Sequence, residues 1–303
     1  MHPANVAVLI LNWNRREDTL RCLDSLDSGD YPSADVIVID NASEDDSVEA
    51  IHRNHPNVRI IRNSRNLGYA AGNNVGLKFA LDRNYDYVVV LNNDTVVAPN
   101  TIRLMIETAE EDPSIGIVGP AIPYLGSPDL IWSVGGKIDW KHGEVISTFY
   151  DQPLSSLPVS SFEVAHVTGC CMLLRSDAIR RAGLLDPRFF MYYEETEWCV
   201  RITRSGYRAV VNPAAVVWHD IDPHGQLGSK NVAYYMTRNR LLFLRATRAP
   251  LRAWIHTLAA QLRTVVALFI RPTSRARMRG RMPMVFALRD FLLGRYGAAA
   301  PGR

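Results

Sequence analysis

The sequence has 303 residues, 47% hydrophobic and 21% charged, with a net charge of +3 at pH 7. That is enough apolar material for one large domain or two smaller ones, and a core of that size needs no disulfide staples. Residues 245–303 contain twelve Arg, one Asp and no Lys or Glu, a local charge of +11, which leaves about −8 for the rest of the chain by difference. An acidic body with an arginine-rich tail implies a negatively charged neighbour at the tail. The cysteines Cys22, Cys170, Cys171 and Cys199 form no C-x-x-C pair and read as reduced, buried thiols of a cytoplasmic protein. No signal peptide precedes the first strand-like run, and no segment reaches the roughly 20 apolar residues that span a bilayer.

In chain order, Val6–Leu11, Val36–Asp40, Val58–Arg62, Tyr87–Leu91 and Ile115–Val118 read as strands. Helical patterns separate them. Leu20, Leu23 and Leu26 recur at helical spacing; Ser43 is placed to cap a helix over 44–53, with Asp46 three residues on; Ala71–Arg83 and Thr101–Glu111 follow. This alternation predicts an α/β fold with a doubly wound, mostly parallel sheet and ligand chemistry at the strand C-termini. Residues 121–163 are rich in Pro, Gly and Ser and predict loops with a small antiparallel excursion. Then come a strand Ala165–Arg175, a helix from Ser176 to Gly183, a helix Glu194–Ser205, and strand-like Arg208–Val211 and Ala215–His219. From Tyr234 onward the chain reads as helical and basic.

Three of the apolar runs end in amides or carboxylates: Asn12-Trp13-Asn14, Asp40-Asn41-Ala42-Ser43 and Asn92-Asn93-Asp94-Thr95. A single Asp after a strand is usually a turn residue, but three such ends on one rim of a parallel sheet point to a ligand site. Asp94 fits a divalent-cation ligand facing a diphosphate as well as it fits an Asx-turn. The aromatic run Phe189–Tyr193 leads into Glu194, Glu195 and Glu197. Acids suit a helix N-terminus without any catalysis, yet one held beside an apolar wall can serve as a general base. His219 ends another strand, where a structural role competes with metal ligation; His224 reads as a plain loop residue. No G-x-G-x-x-G follows the first strand and no P-loop occurs, which argues against dinucleotide-dependent redox chemistry and P-loop nucleotide hydrolysis.

Eight segments in order, VLILNWN at 8–14, VIDNAS at 38–43, RNLGYAAGNN at 65–74, LNNDT at 91–95, TGCCMLLR at 168–175, LDPRFFMYYEETEWCVR at 185–201, GYRAVVNPAAVVWH at 206–219 and YYMTRNRLLF at 234–243, resemble the family 2 glycosyltransferases. The resemblance covers about residues 5–245 and is nearest to rhamnosyltransferase-like and galactofuranosyltransferase-like members. It implies the GT-A fold and a nucleotide-sugar donor. Asp40 matches the residue that binds the nucleotide base, with Asn12 and Asn41 nearby. Asn66 and Gly68 match the loop lining the nucleoside. Asn92, Asn93 and Asp94 match the metal-binding DXD region, with Asn92 where many members carry the first Asp. Glu195 matches the general base, usually an Asp. His219 matches the histidine that completes the metal site or contacts the diphosphate, and Arg238 lies in a segment near the donor phosphates. The activity implied is inverting sugar transfer, from dTDP-rhamnose or a UDP-sugar, with Mg2+ or Mn2+, to a hydroxyl of a lipid-linked or cell-envelope glycan. The rival reading is an inactive module of the same fold used for binding or assembly at a membrane.

These readings divide the chain into a catalytic domain over 1–244, with a nucleotide-binding half at about 1–120 and an acceptor half at about 121–244, and a basic amphipathic tail over 245–303. Leu258, Leu262, Val266 and Phe269 recur at near-helical spacing in the tail, and Arg271, Arg275, Arg277, Arg279 and Arg281 follow. That pattern fits peripheral attachment to anionic lipid at the inner face of a membrane, while a helix packed on the domain remains the alternative. Nothing aromatic interleaves the arginines, so nucleic acid is not the expected partner.

Overall fold

A computed structural model describes residues 4–31, 33–221, 229–270 and 280–300. His224 and the arginines 271, 275, 277 and 279 lie outside the described residues. The N-terminal part alternates β1 (Val6–Asn12), α1 (Arg16–Asp27), β2 (Ala34–Asp40), α2 (Ser47–Asn54), β3 (Arg59–Arg62), α3 (Gly68–Asp82) and β4 (Tyr87–Asn92). Strands β3, β2, β1 and β4 lie side by side and parallel, in register from Val6 opposite Ala34 and Tyr87 to Asn12 opposite Asp40. Val6, Ala7, Val8, Leu9 and Ile10 are all fully buried, because helices cover both faces of the sheet. In-register pairing therefore brings the polar strand ends at Asn12, Asp40 and Asn92 to one rim.

A short β5 (Thr95–Val97) and α4 (Thr101–Glu111) lead into β6 (Ile115–Tyr124), then β7 (Ser127–Ser133), a hairpin of β8 (Gly136–Asp139) and β9 (Glu144–Ser147), and a two-residue β10 (Phe162–Glu163). Next come β11 (Cys171–Arg175), α5 (Ser176–Ala182), α6 (Glu194–Arg204) and β12 (Arg208–His219). The full order is β10-β12-β6-β11-β4-β1-β2-β3, with β5 on β12 and β7 on β6. Strand β11 runs antiparallel between β4 and β6. The small antiparallel excursion expected at 121–163 is present as β7 and the β8–β9 hairpin.

Three local expectations are corrected. Ser43 does not cap α2, which begins at Ser47; its hydroxyl instead accepts hydrogen bonds from Asn14 N–H and Asn12 Nδ2. The strand expected from Ala165 begins only at Cys171, because Thr168–Cys170 turn along the cleft described below. The two late strands are one, interrupted by a register shift between Asn212 and Val216 at Pro213, which has no N–H to pair.

Helices α7 (Lys230–Ala246), α8 (Leu251–Ile270) and α9 (Arg281–Leu292) form a layer beside α6. α7 runs through the boundary expected at 244/245, so the tail is not a separate appendage. Tyr234 of α7 donates to Asp290 of α9 at 2.9 Å, and Arg238 Nη1 donates to the carbonyl of Gly297 at 2.7 Å. α8 has 20 residues at a mean hydropathy of 1.4, long and apolar enough to cross a membrane, which the expectation of no such segment missed. Its exposed residues include Leu251, Ile255, Leu258, Leu262, Val266 and Phe269, while Ala253, Thr257 and Gln261 face the protein.

Removing residues 247–303 takes away partners of buried Tyr234 and Arg238, and leaving buried polar groups unpaired is costly. The truncated chain is therefore expected to show a denaturant midpoint well below that of the full chain. An unchanged midpoint would mean that α8 and α9 contribute nothing to the stability of α7 and the layer it forms.

Candidate active site

The rim begins with the ends of β1 and β2. Asn12 Nδ2 donates to Asp40 Oδ1 at 3.1 Å, Asp40 Oδ2 accepts from Ser43 N–H at 3.2 Å, and Thr19 Oγ1 and Asn93 Nδ2 donate to Asn12 Oδ1. Asn41 Oδ1 accepts from Leu67 N–H and Asn63 Nδ2, and Asn41 Nδ2 donates to Asn66 Oδ1 at 3.0 Å. Asn66 Oδ1 also accepts from Gly68 N–H, at the start of α3. Asn12, Asp40 and Asn41 are buried in this lattice of amides, which ties four loops together.

The neighbouring cleft, of about 570 Å3, is lined by Arg15, Tyr69, Asn92, Asp94, Trp132, Thr168, Gly169, Cys170, Tyr192, Glu194, Glu195 and His219 among others. Antiparallel pairing of β5 with β12 sets Thr95 opposite His219. Asp220 N–H donates to the Asp94 carbonyl at 2.8 Å. Those backbone contacts bring Asp94 Oδ1 within 3.1 Å of His219 Nε2. Arg15 Nη2 lies 3.4 Å from the other Asp94 oxygen. Burial pushes the Asp94 carboxyl up, but the hydrogen bond and charge of His219, then Arg15, prevail and hold it below its ordinary value. The edge of the Trp132 ring packs on His219 with centroids 4.5 Å apart.

The opposite wall is the start of α6. Phe190, Tyr192 and Tyr193 all have left-handed backbones, with φ of 67°, 67° and 73°. Such residues persist only where the surroundings hold them. Asn239 of α7 does so: its Nδ2 lies 2.8, 2.7 and 2.9 Å from the carbonyls of Phe189, Met191 and Tyr192. Arg238 Nη2 donates to the carbonyls of Phe189 and Arg188. The Phe190 carbonyl in turn accepts from Tyr69 N–H at 2.7 Å, at the start of α3. Gly68 there has φ +78°, and a Cβ on it would sit 2.4 Å from the Phe190 ring, so only glycine fits.

This loop delivers Glu194 and Glu195 to the cleft together. Burial raises both carboxyls above their ordinary value; the charge of Glu195 raises Glu194 further, and backbone N–H groups oppose the rise in each. Glu194 Oε2 and Glu195 Oε2 are buried without a hydrogen-bond partner among the described residues. Two acids held this close in a buried site titrate as a pair, and burial favours the protonated form of each. Glu197 points away and pairs with Arg201 at 2.8 Å.

The structure thus brings Asn92, Asp94, His219 and Glu195 to one cavity. It places Asn12, Asp40, Asn41, Asn66, Gly68 and Asn93 in or beside the amide lattice, outside the residues that line the cleft. Arg238 is corrected: it is 0% exposed and spends its guanidinium on backbone carbonyls, Asn239 and Tyr234, so it braces the loop and does not reach the cleft. Sequence reasoning missed Trp132, in the segment of weak periodicity, and assigned no role to Tyr69, Thr168 or Glu194. A Gly-Tyr pair opening a helix was the available signal for Tyr69, whose hydroxyl donates to the carbonyl of Gly169.

Comparison with known proteins agrees with this geometry. The family model "Glycosyl transferase family 2" matches residues 7–183, more than half of the chain. The chain belongs to glycosyltransferase family 2. It is 27% identical over 296 residues to an N-acetylglucosaminyl-diphospho-decaprenol L-rhamnosyltransferase of Mycobacterium tuberculosis, covering 88% of this chain and 92% of that protein. It is 29% identical over 214 residues to a low-salt glycan biosynthesis hexosyltransferase of Haloferax volcanii, covering 66% of this chain and 62% of that protein. Among solved structures, a mannosyltransferase of Pyrobaculum calidifontis in complex with GDP-Man and Mn2+ superposes with a TM-score of 0.59 at 17% identity, covering 98% of this chain and 76% of that one. GalNAc-T7 with UDP, GalNAc and Mn2+ superposes at 0.65 and 16%, covering 96% and 56%. The sheet order and these superpositions make the fold GT-A.

The family 2 fold implies a divalent cation, and Asp94 with His219 fits one. Asp94 Oδ1 and His219 Nε2, 3.1 Å apart, offer one oxygen and one nitrogen donor of the types divalent cations take. Among the described residues no cluster of three or more metal-ligating side chains occurs. A cation there would take its further ligands from outside these side chains.

Two outcomes follow from the loop and the acid pair. Asn239→Ala is expected to cost about 2–4 kcal/mol, from three buried carbonyls that lose a donor, measured by urea denaturation; a loss under about 0.5 kcal/mol would refute the clamp. Glu194 has a folded-state pKa raised above the ordinary 4.5, so its stabilising protonated form is fully present below that value and is lost as pH rises through the folded pKa. Glu194→Gln should therefore raise stability at pH 8 and lose that advantage at pH 4. Equal effects at both values would remove the proposed burden of ionisation.

Proposed function

We propose that this family 2 glycosyltransferase catalyses inverting transfer of a sugar from a nucleoside-diphosphate donor to a hydroxyl of a lipid-linked or cell-envelope glycan. The single observation carrying this reading is that Glu195 and the Asp94–His219 pair line the same cavity. The amide lattice of Asn12, Asp40, Asn41, Asn66 and Asn93, with Gly68, forms the floor on the nucleoside side. Asp94 and His219 would hold Mg2+ or Mn2+, whose chemistry there is to neutralise charge on the departing diphosphate. The imidazole nitrogen suits Mn2+, and Mn2+ accompanies both solved neighbours.

Glu195 accepts the proton of the acceptor hydroxyl as the oxygen attacks the anomeric carbon, the bond to the diphosphate breaks, and the configuration inverts. Its raised proton affinity, set by burial, strengthens it as a base near neutral pH. Arg15, which borders the cleft beside Asp94, adds positive charge where the diphosphate leaves. The rhamnosyltransferase relative, which spans nearly the whole chain, favours dTDP-rhamnose as donor and a diphosphate-linked lipid glycan as acceptor. A UDP-sugar is the competing donor. The apolar outer face of α8 and the basic tail favour peripheral attachment at the inner face of a membrane. The inactive-module reading is disfavoured by the presence of both acids and His219.

Glu195→Gln is expected to lower transfer by about a hundredfold or more while nucleotide binding, measured by thermal shift, survives. Excess chelator should likewise stop transfer. Full activity of Glu195→Gln, or undiminished turnover in chelator, would refute this mechanism.

A further inference from the structure

The cleft does not end at Glu195. Glu195, Trp132 and Tyr192 also wall a second cavity of about 300 Å3, which Tyr150 and Tyr193 complete with aromatic surface. Tyr193 and Met236 are shared in turn with a third cavity of about 300 Å3, between α7, α8 and α9. Shared wall residues set the three cavities next to one another, from the Asp94–His219 pair to the helical layer. Their character changes along the way. The first stretch is rich in carboxylates, and the second offers the flat ring faces on which sugars pack. In the third, Arg240 is the only charged residue among the described ones, set beside Val232, Ala260 and Met284.

Two features of the third cavity define its occupant. Arg240 Nε and Nη2 donate to the carbonyls of Gly143 and His142, and Nη2 lies 3.3 Å from Glu144, so the guanidinium is held at the wall by the β8–β9 turn. These bonds and Glu144 take up part of its donor capacity and charge, and a phosphate there would compete with Glu144 for the guanidinium. α8, which forms the outer wall, has inverted amphipathicity. Thr257 and Gln261 face the protein, while the apolar row Ile255, Leu258, Leu262 and Val266 faces outward, flanked by Arg252 and Arg263. An exposed apolar row edged by arginines matches the boundary of an anionic bilayer.

We propose that the third cavity binds the diphosphate and first isoprenoid units of a bilayer-borne acceptor, whose sugar lies in the aromatic second cavity with its hydroxyl at Glu195. The inference rests on the transferase reading and adds the route by which the acceptor arrives. Arg240 contacts the acceptor diphosphate, at the far end of the row of cavities from the donor diphosphate. Met236 and Thr264, both exposed, border the third cavity where the chain leaves toward lipid.

The test uses the full chain and farnesyl diphosphate as probe. UDP, dTDP or GDP with Mn2+, whichever gives the largest thermal shift, is kept saturating so that the donor site is filled. Farnesyl diphosphate is expected to bind under these conditions, with farnesol and inorganic diphosphate at least about tenfold weaker. Thr264→Trp, which fills the cavity from an exposed position, and Arg240→Gln should each weaken the probe at least about tenfold, while nucleotide affinity reports that the fold is intact. Absence of binding with the donor site filled, or unaltered affinity in Thr264→Trp, overturns the proposal. If no nucleoside diphosphate binds at all, the transferase reading fails instead.

Discussion

One buried amide organises the catalytic wall. Asn239 Nδ2 lies within 2.9 Å of three loop carbonyls, and that loop holds Phe190, Tyr192 and Tyr193 in left-handed conformations. Each such residue costs of order 1–3 kcal/mol, so the loop cannot keep this shape by local preference. The Phe190 carbonyl meets the start of α3, and Tyr193 leads into α6. Through one loop, α7 therefore fixes both the nucleotide-side helix and the helix bearing Glu194 and Glu195. A change in α7 reaches the chemistry without touching any substrate.

The second constraint is electrostatic. Asp94, Glu194, Glu195 and Asp220 all line the cleft, against the single guanidinium of Arg15 among the described residues. A diphosphate entering this field meets more negative than positive charge from those side chains, and a cation held at Asp94 and His219, as proposed, would offset it. Raised proton affinity at Glu194 acts in the same direction, because a neutral Glu194 removes one repelling charge.

Much of the fold was legible in the chain because its signals are local. The strands β1 to β4 announce themselves as β-branched runs, and parallel register carries their polar ends to one rim. Asp94, His219 and Glu195 could be named from strand ends and one helix start. The roles of Arg238 and Asn239 were not legible, since a buried arginine bonded to carbonyls and one bonded to phosphate have the same sequence. Asp40 was legible as a polar strand end, but its bonds to Asn12 Nδ2 and Ser43 N–H, set by tertiary packing, were not. Trp132 lay in a stretch without periodicity, and only the return of β7 along β6 brings it to His219. The apolar face of α8 was visible as a spacing, but which side of the helix the protein covers was not.

The proposed transfer needs a cation end at Asp94 and His219 and a base end at Glu195 in one cleft. A crystal structure with an unhydrolysed nucleotide-sugar and Mn2+ tests that directly. The ion is expected on Asp94 and His219, bridging to the diphosphate, with the anomeric carbon open to Glu195 on the face opposite the leaving group. An ion bound away from Asp94, or a sugar whose reacting face is turned from Glu195, would contradict it.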